Sequence, residues 1–282
     1  MTISRASTIK IIKSQGIALD KRLGQNFLVE ESYIEKIIKT ATIKDNETIL
    51  EIGAGIGNLT SKIAEFASRV VSVEIDQRLI PVFQQVTSEF PNVEIIQGDI
   101  LALDLGKLIS GEYKVIANIP YYISTAVTRF LTESNNPPGN MILTLQKEVA
   151  ERMCQNPGNF SLLALSVQIF GEPKIALYIP AGAFYPKPEV DSAVIRIDRH
   201  LNPVVPDNIL PLLFRLARAG FSQKRKTLRN SLAGGMHWST DLTQGLLIKA
   251  GIEPIRRAEE LGIDEWVRLS MVVTESEKIL PG

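Results

Sequence analysis

The chain has 282 residues, 45% of them apolar, and 31 basic side chains balanced by 31 acidic ones, which suits one large or two modest domains and singles out no polyanionic partner by net charge alone. A lone cysteine, Cys154, excludes an internal disulfide, and with only His200 and His237 beside it no ordinary zinc site can form, so no metal is expected and a reducing cytoplasm fits. No apolar run approaches the roughly 20 residues that would span a bilayer, so no membrane partner is expected.

Charge is segregated along the chain. Residues 1–25 carry Arg5, Lys10, Lys13, Lys21 and Arg22 against Asp20; residues 30–112 hold 14 acidic and seven basic groups; residues 196–230 hold eight basic groups against Asp198 and Asp207. Residues 1–31 therefore read as a basic N-terminal segment. From residue 32 to about 155, β-branched runs alternate with helical periodicity, the pattern of a parallel sheet covered by helices. Ile34, Ile37, Ile38 and Ala41 mark a first helix face. Strands are predicted at 48–52, 69–75, 93–96, 114–117 and 141–145, and two more at 174–179 and 193–197 as an antiparallel edge. Residues 160–170 are apolar nearly all round and read as a buried helix. The Pro-rich stretch 202–207 marks a linker. Beyond it, segments near 207–220, 223–233, 239–250 and 264–277 are helical. The expected organisation is an α/β catalytic domain over 32–200 and a helical domain over 207–282.

The chemistry gathers at the strand ends. Glu51-Ile52-Gly53-Ala54-Gly55-Ile56-Gly57 follows the first strand and opens a helix, so its glycines let the backbone approach a ligand closely; the spacing differs from Gly-x-Gly-x-x-Gly, and no Lys-Ser/Thr pair follows, which excludes a nucleoside triphosphate loop. Glu74 ends the second strand, where a carboxylate can accept ribose hydroxyls. Asp99 follows the third, within reach of an adenine edge. Asn118-Ile119-Pro120-Tyr121 closes the fourth: Pro120 fixes its own φ and biases Ile119 to extended backbone, so the Asn118 amide oxygen and a carbonyl of Ile119 or Pro120 can serve as aligned acceptors for an aromatic amine, with Tyr121 as a stacking face.

These strings, with Leu23-Gly24-Gln25-Asn26-Phe27-Leu28, the 146–152 and 184–192 stretches and the 221–230 stretch, resemble the S-adenosylmethionine-dependent rRNA adenine N6-dimethyltransferases over nearly the whole chain, most closely the branch acting on small-subunit (16S) rRNA. The resemblance implies a Rossmann-like methyltransferase sheet with a small C-terminal helical domain. It implies S-adenosyl-L-methionine contacts at Asn26, Leu28, Gly53, Gly55, Glu74, Asp99 and Asn118, with residues near 26–28 as a flap, and places Asn118, Tyr121 and Phe184 around the target adenine. The implied substrate is a pair of adjacent adenosines in the 3′-terminal hairpin loop of 16S rRNA in the 30S particle, methylated by a monomer. Lys224, Arg225, Lys226 and Arg229, read as one and a half turns of helix, would form a broad basic surface for RNA. Rival readings are the related large-subunit rRNA enzyme, a non-catalytic assembly factor and a small-molecule methyltransferase.

Overall fold

The computed structural model describes residues 5–14 and 23–279. The strands are β1 (Phe27–Leu28), β2 (Thr48–Ile52), β3 (Arg69–Glu74), β4 (Val93–Gln97), β5 (Lys114–Asn118), β6 (Asn140–Gln146), β7 (Gly171–Ile179), β8 (Phe184–Tyr185) and β9 (Ser192–Arg199). The helices are α1 (Arg5–Ser14), α2 (Glu31–Ala41), α3 (Asn58–Ala64), α4 (Ile80–Val86), α5 (Leu105–Leu108), α6 (Ser124–Thr132), α7 (Lys147–Met153), α8 (Leu162–Phe170), α9 (Leu210–Phe221), α10 (Leu228–Met236), α11 (Thr240–Lys249) and α12 (Ile263–Ile279). Of the N-terminal cations, Lys21, Arg22 and the side chains of Arg5 and Lys13 lie outside the described residues; Lys10 is exposed.

Seven strands form one sheet in the order β4-β3-β2-β5-β6-β9-β7. The first five run parallel, and β9 pairs antiparallel with β6, Thr144 opposite Val194. Because helices cover both faces, β2 is buried at Ile49, Leu50, Glu51 and Ile52 alike, which is why its sequence does not alternate apolar and polar residues. On one face α2 and α3 lay Ile34, Ile37 and Ile63 against Ile49, Val70 and Ile116, each fully buried aliphatic contributing about 1.5–3 kcal/mol. The chain leaves β2 toward β3 and β4 on one side, and β5 and β6 lie on the other. The strand order therefore reverses between β2 and β5, and a crevice opens beyond their carboxyl ends.

The chain divides into two compact units, Met1–Glu151 with Glu172–Arg199, and Arg152–Gly171 with His200–Gly282. Residues 152–171 thus depart from the expected 32–200 domain. The reason is packing: Phe160, Ala164 and Leu165 join Leu213, Leu216, Leu228 and Trp266 in the core of the helical unit, where the Phe221 and Trp266 rings stand 5.7 Å apart. Ser161 caps α8 by accepting from the Ala164 N–H. The basic stretch also differs from expectation. Residues 222–227 form a turn closed by Lys226 N–H donating to the Gln223 carbonyl, and α10 starts only at Leu228, so Lys224, Arg225 and Lys226 are not on a helix.

Candidate active site and cofactor cleft

The ends of β2, β3 and β5, the loop after β4 and the segment 23–27 line a cleft of about 930 Å3 counted out to open solvent. Gly53 and Gly55 line its floor with φ of +76° and +60°. A Cβ on Gly53 would stand 3.1 Å from the Asn118 carbonyl oxygen, and one on Gly55 2.9 Å from the Phe27 ring, so a side chain at either position would be both strained and crowded.

Glu74 forms one wall. Its Oε2 accepts the Gly55 N–H and its Oε1 the Asp76 N–H, at 2.8 and 2.9 Å. Burial pushes its carboxyl above the ordinary glutamate value, opposed by those N–H donors. Each oxygen keeps a further acceptor position. Asp99 caps the turn after β4, its Oδ1 accepting from the Leu101 N–H, and borders the cleft with Ile75 and Ile100. Ile75 is 43% exposed, an apolar surface beside two carboxylates, and that donor set suits the ribose and flat adenine of an adenosine cofactor. Sequence reasoning passed over Ile75 and Ile100, whose signal was an apolar residue next to each strand-end acid.

Asn118 ends β5 with its Nδ2 donating to the Asn26 carbonyl at 3.0 Å. That bond sets the amide, leaving Oδ1 as the acceptor group. Of the two candidate backbone acceptors, the Pro120 carbonyl already accepts from the Ile123 N–H, whereas the Ile119 carbonyl accepts no hydrogen bond among the described residues. The segment 23–28 is latched over the cleft at two points, by Asn118 and by Gln25 Nε2 donating to Asp76 Oδ2 at 2.6 Å. Hydrogen bonding from Arg78, and then from Gln25, holds the Asp76 carboxyl below its ordinary value. Gln25 stands in the 23–28 string and Asp76 two residues past Glu74, and neither is given a role by the sequence pattern.

Tyr121 lines the cleft half-buried, and its hydroxyl shares a 2.7 Å hydrogen bond with Ser192 at the start of β9. Ser192 is fully buried, so it fixes the ring from behind. Replacing Ser192 by Ala is expected to slow transfer by up to about 10-fold, the worth of one ordinary hydrogen bond, with cofactor affinity unchanged; kcat measured beside calorimetric cofactor titration checks this. Phe184 corrects the sequence reading. It is 1% exposed, pairs with Leu28 across the β1–β8 ladder and sits in the core with Ile34 and Ile37, so its ring offers no open face to a base. Leu28, 5% exposed, borders a smaller cavity of about 360 Å3 behind Gly53 rather than the main cleft.

Beneath the glycines, Glu51 is fully buried and accepts from the Thr60 and Ser72 hydroxyls at 2.5 and 2.8 Å. Burial pushes its carboxyl up from 4.5 to about 7, against the pull of those hydroxyls. The folded state thus binds a proton that the unfolded chain has released between pH 4.5 and 7. Its contribution to stability is complete below pH 4.5 and is lost as pH rises through 7, on the order of 3 kcal/mol at about 1.4 kcal/mol per pKa unit. Glu51→Gln stays neutral. Thermal melts at pH 5 and 8 should show a smaller alkaline loss of Tm in the variant than in the wild type.

The sheet order, the strand-end acids and the glycine-floored cleft define a Rossmann-like S-adenosylmethionine-dependent methyltransferase. A family model described as ribosomal RNA adenine dimethylase matches residues 17–275. Ribosomal RNA small subunit methyltransferase A of Dehalococcoides mccartyi is 40% identical over 258 residues, covering 91% of this chain and 89% of the relative; the protein of the same name from Bacillus pumilus is 38% identical, covering 95% and 96%. Among solved structures, the 23S rRNA methyltransferase ErmE superposes with a TM-score of 0.70 at 25% identity, covering 88% of this chain and all of that one. A dimethyladenosine transferase from Plasmodium falciparum superposes at 0.75 with 24% identity over 87% and 96%, a likeness of fold. The chain belongs to the ribosomal RNA adenine dimethylase family, and its cofactor is S-adenosyl-L-methionine.

Proposed function

We propose that the protein dimethylates the N6 amino groups of two adjacent adenosines in the 3′-terminal hairpin loop of 16S rRNA, acting in the cytoplasm as a monomer on the 30S particle during small-subunit biogenesis. The observation that carries this reading is the Asn118 amide, whose nitrogen is committed to the Asn26 carbonyl so that its oxygen stands as an acceptor beside the Ile119 carbonyl and the Tyr121 ring. The small-subunit name borne by relatives spanning nearly the whole chain supports the choice of rRNA.

The chemistry follows from adenine. Its N6 lone pair is delocalised into the ring, so the amine is a poor nucleophile. Asn118 Oδ1 and the Ile119 carbonyl accept the two N6 hydrogens and favour a pyramidal nitrogen whose lone pair points out of the ring plane. The bound cofactor supplies an electrophilic methyl on a sulfonium sulfur. Tyr121 stacks on the extruded base, worth about 1–3 kcal/mol, and holds N6 within the roughly 3 Å that in-line transfer needs. The proton lost from N6 passes to water. Glu74 and Asp99 hold the ribose and the adenine edge of the cofactor, and the latched 23–28 segment closes over its methionine end.

Undermethylated 30S subunits incubated with the protein and methyl-tritiated cofactor should yield N6,N6-dimethyladenosine mapped to adjacent positions of 16S rRNA. Label found instead in the large subunit, or absent altogether, would overturn the assignment.

A further inference from the structure

We propose that the exposed ring of Tyr122 is a stacking platform for the base that neighbours the one being methylated, a role that rests on the adjacent-adenosine reading above and adds what holds the second adenine while the first reacts. A single exposed aromatic is ordinary on a protein surface; this one is set apart by its place, its seating and the charge around it. Residues Tyr121–Ile123 form one 3-10 turn at the rim of the cleft, and in such a turn successive side chains point about 120° apart. Tyr121 is half-buried and turned to Ser192. Tyr122 is thereby thrown outward, 58% exposed, while still bordering the mouth of the cleft. Two aromatic rings on consecutive residues thus stand at one opening, one inside it and one at its edge.

The seating is firm. The turn is closed by the Ile123 N–H donating to the Pro120 carbonyl and by Ser124 Oγ donating to the Tyr121 carbonyl at 3.0 Å. Gly24, at φ +58°, lies against the outer ring: a Cβ there would stand 3.3 Å from Tyr122 Cδ1 and 3.4 Å from Pro120 Cβ, so the 23–28 segment supports the aromatic where a side chain would crowd it. A ring already held in place loses little conformational freedom when a base lies on it. Charge is the other argument. The cleft is lined by Glu74 and Asp99 and, among the described residues, by no Lys or Arg. Phosphates at this mouth meet negative charge with no cation to offset it, so a strand entering here is held through its bases. Drawing two adjacent adenines out of a loop sacrifices the stacking of both. Tyr121 offsets that loss for one and Tyr122 for the other, and a platform of this kind accepts any base while favouring the larger purine face.

The test uses full-length protein and undermethylated 30S subunits reconstituted with 16S rRNA in which one of the two adjacent adenosines is kept and its neighbour is either adenosine or uridine. Wild-type protein should methylate the kept adenosine with a kcat/KM about 5-fold higher beside adenosine than beside uridine. Tyr122→Ala should lower kcat/KM beside adenosine by about 10-fold and lose the dependence on the neighbour. Tyr122→Phe, which keeps the ring, should retain both the rate and the dependence, whereas Tyr122→Leu, which still packs on Gly24, should behave as the Ala variant does. Calorimetric cofactor Kd should be unchanged in all three. A neighbour dependence as large in Tyr122→Ala as in the wild type would overturn the role, as would equal losses beside adenosine and uridine accompanied by weaker cofactor binding, the mark of a ring that only supports the 23–28 segment. If wild-type protein makes no dimethyladenosine on unaltered 30S, the proposed function falls; if it does and the neighbour dependence survives Tyr122→Ala, only the platform falls.

Discussion

Asn118→Ala should lower the rate of methyl transfer by about 10²–10³, the usual cost of removing one preorganised hydrogen-bonding group from the position where charge develops. The amide does two separable things. In the proposed mechanism its Oδ1 accepts an N6 hydrogen; its Nδ2 donates to the Asn26 carbonyl and so anchors the 23–28 segment at the cleft. Loss of the second bond alone is worth about 0.5–1.5 kcal/mol, a few-fold in cofactor affinity, and cannot account for a large fall in rate. Asn118→Asp divides the two: the carboxylate still accepts, but it cannot donate to Asn26 and places an oxygen against that carbonyl. Single-turnover rates on 30S should therefore rank wild type, Asp, then Ala, while cofactor affinity falls modestly in both variants. The fold should survive, because the Ile119 N–H still donates to the Thr144 carbonyl at the end of β5. Dimethyladenosine formed by Asn118→Ala at the wild-type rate would remove the amide from the mechanism.

Much of this arrangement was legible because the residues concerned act locally. The strands β2, β3, β5 and β6 are buried on both faces and so appear as mostly apolar runs, while β4, at the sheet edge, has no buried residue; Gly53, Glu74, Asp99 and Asn118 each stand at or just past a strand end, so one parallel sheet carries them all to one edge. The α8 segment was legible as a buried helix, but not its membership of the helical unit, since Phe160 and Leu165 find their partners Leu213 and Leu216 some 50 residues on. The β1–β8 ladder has two residues a side, too short for any periodicity, and it is this ladder that draws Phe184 into the core with Leu28. Gln223, Lys224, Arg225 and Lys226 are all good helix formers, yet Thr227, extended at φ −64° and ψ 155°, serves as the N-cap of α10 and leaves them in a turn. Pairwise latches such as Gln25 to Asp76 depend on where two distant loops meet, which neither loop encodes alone.

Glu74→Ala is expected to weaken cofactor binding about 10²-fold while leaving the chemical step intact. The carboxylate accepts the Gly55 and Asp76 N–H groups and has two acceptor positions left for ribose hydroxyls. Hydrogen bonds to a charged acceptor contribute about 1.5–3 kcal/mol each. Loss of the ribose contacts, with the glycine loop left unanchored at Gly55, therefore amounts to about 3 kcal/mol, or two powers of ten in Kd. Glu74→Gln should recover little of this, because its amide nitrogen would have to face the N–H of Gly55 or of Asp76, donor against donor. Because burial raises the Glu74 carboxyl above the ordinary value of 4.5, wild-type cofactor affinity should decline on acidification from a higher pH than an exposed glutamate would give, and the Ala variant should lack that decline. Saturating cofactor should restore most of the rate to Glu74→Ala and none to Asn118→Ala. That contrast separates the wall that holds the cofactor from the amide that prepares the amine, and a calorimetric Kd unchanged by Glu74→Ala would show that the ribose lies elsewhere.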